Sequence, residues 1–200
     1  MGFTFFFRDR LSLEIVADEL LRRIATKNRL KIWDAGCSTG AEPFTFAIIL
    51  AERTTMEFMR GVQIFATDID ELQHFRPLIE SGIYPYEQLK RIPGELFQKY
   101  FIKTNPSDNF QLIPQIHNAV KFYKHNLLSL DKIDYNFDLV ICKNVLLHFT
   151  ANERINVLKM FYQSLNPNGL LVMEQNQKIP VELESFFRQL TPQAQLFGKI

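Results

Sequence analysis

KIWDAGCSTGAEPFT, residues Lys31 to Thr45, carries two changes of backbone regime in fifteen residues. It opens as a short apolar strand (Ile32, Trp33), breaks at Asp34-Ala35-Gly36, and passes through Cys37-Ser38-Thr39-Gly40 into a helix. Pro43 suits the first turn of that helix, where its missing N–H costs nothing. Phe44, Phe46, Ala47, Ile48, Leu50 and Ala51 give the helix an apolar face. Strand, glycine turn and helix N-terminus together make a nucleotide-type cradle, in which bare N–H groups face a ligand and small residues let it come close. The spacing is neither G-x-G-x-x-G nor a P-loop with its Lys, and tight βα turns also need glycine for purely structural reasons.

Working outward, Val62 to Thr67 reads as a second strand that ends on Asp68-Ile69-Asp70. An acid at that position can accept both hydroxyls of a ribose. It can equally cap the helix that follows, and the two aspartates allow one role each. The first loop holds no Lys or Arg, whereas Asp34 and Glu42 place negative charge there. A cationic ligand fits such a turn better than a phosphate does, which points from dinucleotides towards S-adenosylmethionine with its sulfonium and ammonium groups.

The 200 residues, 46% hydrophobic, suit one domain with a substantial core. A net charge of +1 gives no basic footprint for nucleic acid. Cys37 and Cys142 have no metal spacing and read as small buried hydrophobes in a reducing compartment. The longest apolar run, Phe44 to Ala51, is far short of the roughly 20 residues that cross a bilayer. The N-terminus lacks a charged n-region and cleavage site. Phe6 stands where myristoylation wants Ser or Thr. The expectation is a soluble cytoplasmic protein without membrane insertion.

Met1 to Arg8 is too aromatic for a free tail and should pack on the domain. Leu13, Val16, Leu20 and Ile24 step by three and four, predicting a helix from Asp9 to about Lys27. The cradle helix runs to Glu52, followed by a polar link from Arg53 to Gly61. A helix after Asp70 runs to Glu80 and stops at Ser81-Gly82, with Pro77 kinking it or ending it early. The segment to Ala119 is too long for a simple crossover. It reads as an inserted subdomain at about 83–118: a helix Glu87 to Phe101, a turn Asn105 to Asn109, and a strand Phe110 to Ile113 open to edge pairing with a peptide. Strands follow at Ala119 to Lys124, Phe137 to Cys142 and Leu170 to Met173, then a helix Val181 to Leu190 and a last strand Leu196 to Ile200. Thr150 with Glu153 forms a capping box for the helix from Ala151. The alternation implies an α/β fold with a mostly parallel sheet and ligands at the strand carboxyl ends.

Six blocks in order carry a family likeness: Thr4-Phe5-Phe6-Phe7-Arg8, Ser38 to Phe44, Ala66 to Asp70, Gly82-Ile83-Tyr84, Asn126-Leu127-Leu128 and Cys142-Lys143-Asn144-Val145. With them the chain resembles the chemotaxis receptor methyltransferases of CheR type, in the catalytic domain without the usual N-terminal helical domain. The resemblance implies a class I S-adenosylmethionine-dependent methyltransferase, Rossmann-like with a seven-stranded sheet, that methylates glutamates in the cytoplasmic region of chemoreceptors. It implies Asp68 on the ribose and Glu42 near the methionine end of the cofactor. Asn126, Leu127, Asn144 and Val145 would line its adenine and methionine pockets beside Gly36. Thr4 and Arg8 would close over the methyl group. Lys143 replaces an Arg of the family pattern, His148 a Tyr near the substrate entrance, and Glu174-Gln175-Asn176 a His-Ser-Glu segment.

The chemistry asks little more of the sequence. A carboxylate is already ionised at neutral pH, so its methylation needs no general base. Arg8 can orient it with two N–H bonds, and His148 is the other candidate catalytic residue. His74, His117, His125 and His148 show no ligand spacing, and no metal is expected. Two alternatives stay open: a methyltransferase of this fold acting on another carboxylate or small molecule, and a catalytically silent cofactor-binding module.

Overall fold

The structure, a computed structural model, describes residues 4–24, 29–104 and 108–200. The first three residues of the aromatic segment, the helix end expected near Lys27 and most of the Asn105–Asn109 turn lie outside them. In chain order, α1 (Arg10–Arg23), β1 (Leu30–Ala35), α2 (Ala41–Arg53), the short α3 (Met56–Met59) and β2 (Val62–Asp68) come first. Next are α4 (Phe75–Ser81), β3 (Ile83–Pro85), α5 (Tyr86–Leu89), α6 (Gly94–Tyr100), β4 (Phe101–Thr104), β5 (Asn109–Leu112) and α7 (Pro114–His117). The chain continues with β6 (Val120–Lys124), β7 (Phe137–Cys142), α8 (Ala151–Ser164), β8 (Leu165–Met173), β9 (Phe187–Gln189) and β10 (Leu196–Lys199).

The main sheet has the order β6-β2-β1-β7-β8-β10-β9. Its first five strands are parallel, and β10 runs antiparallel between β8 and β9. From β1 the chain steps one way to β2 and β6, then returns to place β7 on the other side. The gap between the ends of β1 and β7 is therefore the topological switch point, where a ligand crevice opens. All six residues of β7 are buried, as a strand covered on both faces must be. One apolar cluster lies under α1 and α2, and a second lies under α8 around Trp33.

α2 explains why the core holds together. Ten of its thirteen residues are buried, and a helix apolar on nearly every side has to be enclosed. The sheet and α1 cover part of it, and the segment between α4 and β6 covers the rest. There β3, β5 and β4 form a small antiparallel sheet. Tyr84, Tyr100, Leu112 and Ile116 of this segment share one core cluster with Phe44 and Ile48 of α2.

Several expectations change. The helix expected over Glu87 to Phe101 is two short helices, because Pro93 cannot continue α5 and instead precedes α6. β5 is the middle strand of its sheet, so its edges are already paired and β3 and β4 are the outer strands. Val181 to Leu190 is a 3-10 turn (Val181–Leu183) followed by β9, not a helix. Pro77 sits in the first turn of α4, where it is tolerated, since that helix starts at Phe75 rather than just after Asp70. The link after Arg53 contains α3, which Thr55 caps by accepting from the Phe58 amide. β8 begins at Leu165, with a register shift against β7 before Leu139. The Thr150–Glu153 capping box forms in both directions.

Candidate active site

A cavity of about 590 Å³ opens at the carboxyl ends of β1, β2, β6 and β7. Thr4, Arg8, Gly36, Glu42, Asp68, Asn126, Leu127, Asn144, Val145 and His148 all line it. Residues from five separate stretches are thus brought together at one site.

The glycine turn is tied down rather than bare. The amides of Gly36 and Cys37 both donate to the Thr67 carbonyl, at 2.7 and 2.9 Å, and the Ser38 amide donates to Asp68 at 2.9 Å. The expected cradle of open N–H groups is corrected accordingly, because these three donors fasten the loop to β2. The glycines also make room for protein. Gly36 has φ +98°, and a Cβ there would overlap the Val145 side chain. Gly40 has φ +86°, and a Cβ would come within 2.7 Å of Ile79 and 2.9 Å of the Tyr84 hydroxyl. That hydroxyl donates to the Thr39 carbonyl at 2.8 Å, so β3 props the turn from outside.

Asp68 and Asp70 divide the two roles open to them. Asp70 accepts from the amides of His74, Phe75 and Arg76 and so caps α4. Among the described residues, Asp68 accepts only the Ser38 and Asp70 amides, one on each oxygen, and its carboxylate lines the cavity with lone pairs remaining. Asn126 accepts from the Leu128 amide at 3.0 Å, which occupies its oxygen and leaves its NH2 as the side chain's donor group.

The N-terminal residues form a strap across the cavity. Phe6 and Phe7 are buried, Phe6 edge-on to Tyr84 at 5.1 Å. The Phe7 amide donates to Thr45 of α2 at 3.0 Å. On either side of these anchors, Thr4 and Phe5 before them and Arg8 and Asp9 after them line the cavity wall. Asp9 pairs with Lys143 at 2.9 Å, and the Lys143 side chain is only 3% exposed. Sequence reasoning did not reach this pair, since Asp9 belongs to no motif and its partner lies 134 positions away. The one signal was the Lys in place of the family's Arg.

Acids dominate the electrostatics. Burial pushes the Glu42 carboxyl up to about 7, opposed by the Lys143 ammonium, with Asp9 and Glu174 raising it and Arg8 lowering it. Asp34 is fully buried at the end of β1, and neither of its oxygens has a hydrogen-bond partner among the described residues. Burial, then Glu42 and Asp68, raises its carboxyl well above the usual range, while Lys143 pulls it back. Burial likewise raises both thiols, so Cys37 and Cys142 stay protonated and are inert as nucleophiles. Glu42 and Asp34 share one buried ammonium, and Asp68 adds its charge beside Asp34, so the site suits a ligand that brings positive charge.

These features fit comparison with known proteins. Residues 2–195 match the family described as CheR methyltransferase, SAM binding domain. The chemotaxis protein methyltransferase of Escherichia coli (strain K12) is 34% identical over 173 residues, covering 84% of this chain and 58% of that protein. The chemotaxis protein methyltransferase of Listeria innocua is 31% identical over 176 residues, covering 87% and 64%. The chain therefore spans less than two thirds of the length of these curated relatives. Among solved structures, the CurJ carbon methyltransferase superposes with a TM-score of 0.50 at 16% identity, over 84% of this chain and 36% of that one, and shares the fold. Its sheet order, its acid-ended second strand and a match through nearly every element agree: the fold is that of class I S-adenosylmethionine-dependent methyltransferases, and the chain belongs to the CheR methyltransferase family, in its S-adenosylmethionine-binding domain.

Proposed function

We propose that this chain binds S-adenosylmethionine in the cavity at the sheet switch point and methylates glutamate side chains in the cytoplasmic region of a chemoreceptor. The observation that supports it most is the cavity's acid pattern: Asp68 held by two amides on one side, and Glu42 with the buried Asp34 on the other. Asp68 would take the ribose hydroxyls and Glu42 the ammonium end. Asn126 and Leu127 would face the adenine, Asn144 and Val145 would complete the wall, and Thr4 would cover the reacting end.

The bound cofactor supplies an electrophilic methyl group on a sulfonium. What the protein adds is alignment and exclusion of water. The acceptor carboxylate arrives ionised, so no residue here has to remove a proton. Arg8, exposed in the strap and lining the cavity, orients that carboxylate through its planar fork. His148, exposed on the opposite wall, is an acceptor-side contact rather than a base.

Incubation with methyl-labelled cofactor and chemoreceptor-containing membranes, followed by base, should release labelled methanol. Binding of S-adenosylhomocysteine without any methanol would leave a silent binding module, and no binding would remove the assignment. Asp68→Asn should weaken S-adenosylhomocysteine binding by roughly 1.5–3 kcal/mol, the worth of a charged hydrogen-bond acceptor. Calorimetry showing unchanged affinity would take Asp68 out of the site.

A further inference from the structure

A second cavity, of about 310 Å³, lies on the far side of the strap. Thr4 and Phe5 line both cavities, so a wall two residues long separates them. Its other walls come from Thr39 in the glycine turn, Ala41 at the start of α2, and Glu87, Gln88, Lys90 and Arg91 around α5. The charges there do not cancel. Lys90 and Glu87 pair with each other at 2.6 Å. Arg91 has no carboxylate partner among the described residues, and its guanidinium sits over the Phe5 ring at 4.2 Å. A cation held on an aromatic ring keeps its in-plane N–H groups for another partner, and less side-chain freedom is left to lose when that partner docks. The thirteen-residue α2 points its positive end at the same space.

We propose that this second cavity is an acceptor subsite in which Arg91 binds a carboxylate of the protein substrate other than the one methylated. The inference rests on the protein-glutamate reading above and specifies its substrate: an acidic segment, with a second acid placed to cross the Thr4–Phe5 wall while the first reaches Arg8. Arg8 then handles the reacting carboxylate and Arg91 sets which glutamate is presented. A small acceptor with one carboxylate, or a protein segment with a single isolated acid, uses only half of this arrangement. Arg91 is a specificity residue in this scheme, and it touches neither the cofactor nor the reacting atoms.

The test is steady-state transfer from labelled S-adenosylmethionine to a purified chemoreceptor cytoplasmic fragment, with the unsubstituted chain, Arg91→Gln and Arg91→Lys. Arg91→Gln should raise KM for the fragment about tenfold, the worth of one charge-assisted contact, with kcat at saturation within about twofold. Arg91→Lys should fall between, lacking the fork. KM of the unsubstituted chain should climb with ionic strength, and that of Arg91→Gln should climb much less. Affinity for S-adenosylhomocysteine, measured on the same preparations, should not move. Transfer with an unmoved KM in Arg91→Gln overturns this inference alone. A matching loss of S-adenosylhomocysteine affinity also overturns it, by showing that Arg91 only clamps the strap. No transfer by the unsubstituted chain overturns the protein-glutamate reading and this inference together.

Discussion

The glycine turn and the segment between α4 and β6 stand in opposite relations to the sequence. The turn's residues are contiguous, and two of its three left-handed positions, Gly36 and Gly40, are glycines, the third being Ser38. The segment between α4 and β6 breaks into six short elements, none longer than seven residues. Yet the second supports the first. Tyr84 from β3 hydrogen-bonds the turn at Thr39, packs on Phe44 and fills the space that Gly40 leaves open. A motif can thus be local in sequence while its rigidity is supplied from elsewhere, and the two regions should fail together.

The largest expected effect tests that coupling. Tyr84 is fully buried and touches Phe6, Phe44 and Thr39 at once. Tyr84→Ala should cost roughly 3–5 kcal/mol, as truncation of a buried aromatic does. S-adenosylhomocysteine binding should fall with it, although Tyr84 does not line the main cavity. Tyr84→Phe removes only the donor to Thr39 and should cost about 1–3 kcal/mol. If thermal denaturation shows the loss while calorimetry finds undiminished affinity, the segment between α4 and β6 does not brace the turn.

Gly36→Ala comes next. A residue with a Cβ pays about 1–2 kcal/mol at left-handed φ, and the overlap with Val145 adds about 1–3 kcal/mol of overpacking. The double variant Gly36→Ala/Val145→Ala should recover the packing part and keep the backbone part. Full recovery would mean that φ at Gly36 is not a constraint, and no recovery would mean that Val145 is not what crowds the turn.

These contrasts show why part of the molecule was legible. β1, the turn, α2 and β2 announce themselves because a buried strand, a φ-demanding glycine and an apolar helix each restrict residue type at fixed offsets. Asp68 was legible for the same reason, as the acid where the second strand stops. The helix expected over 87–101 is broken into two, and the one expected over 181–190 is a 3-10 turn and a strand. Pro93 interrupts the apolar spacing of the first, and the pairing of Phe187 to Gln189 with β10 overrides helical spacing in the second. Partners set by long-range packing left no local mark: Asp9 on Lys143, Tyr84 on Thr39, and the central place of β5. Arg91 is of that kind too, since only the fold brings it to Phe5.

The charge on Glu42 draws the comparison more finely, because the motif supplies the acid and distant elements set its titration. Its carboxyl is raised from 4.5 to about 7, so the folded apo chain keeps a proton that the unfolded chain gives up within that window. Apo stability should therefore fall as pH rises from about 4.5 to 7. Affinity for the cationic cofactor should rise over the approach to 7, by at most about tenfold per pH unit, and level off above it. Glu42→Gln should remove the part of both slopes nearest pH 7, leaving whatever Asp34 contributes. Lys143→Met should move the rise in affinity to higher pH, because the ammonium is what draws Glu42 down. An affinity profile that ignores both substitutions would place the cofactor's charge away from Glu42.

The smallest effect belongs at a site where sequence and support are both local. Thr150 and Glu153 cap α8 reciprocally: the Glu153 amide donates to the Thr150 hydroxyl oxygen, and the Thr150 amide donates to the Glu153 carboxylate at 2.8 Å. Neither residue lines the cavity. Thr150→Ala should cost about 1 kcal/mol, the usual worth of an N-cap. The Glu153 carboxyl, held low by the Thr150 amide and hydroxyl, should return towards its ordinary range. S-adenosylhomocysteine affinity should stay where it was, since among the described residues the cap's side-chain hydrogen bonds run only between Thr150 and Glu153. A cap variant that lowered affinity as Tyr84→Phe does would erase the distinction between a motif that is self-contained and one that is held from outside. The measurement is therefore worth making on the two variants side by side, with chemical denaturation for stability and calorimetry for affinity.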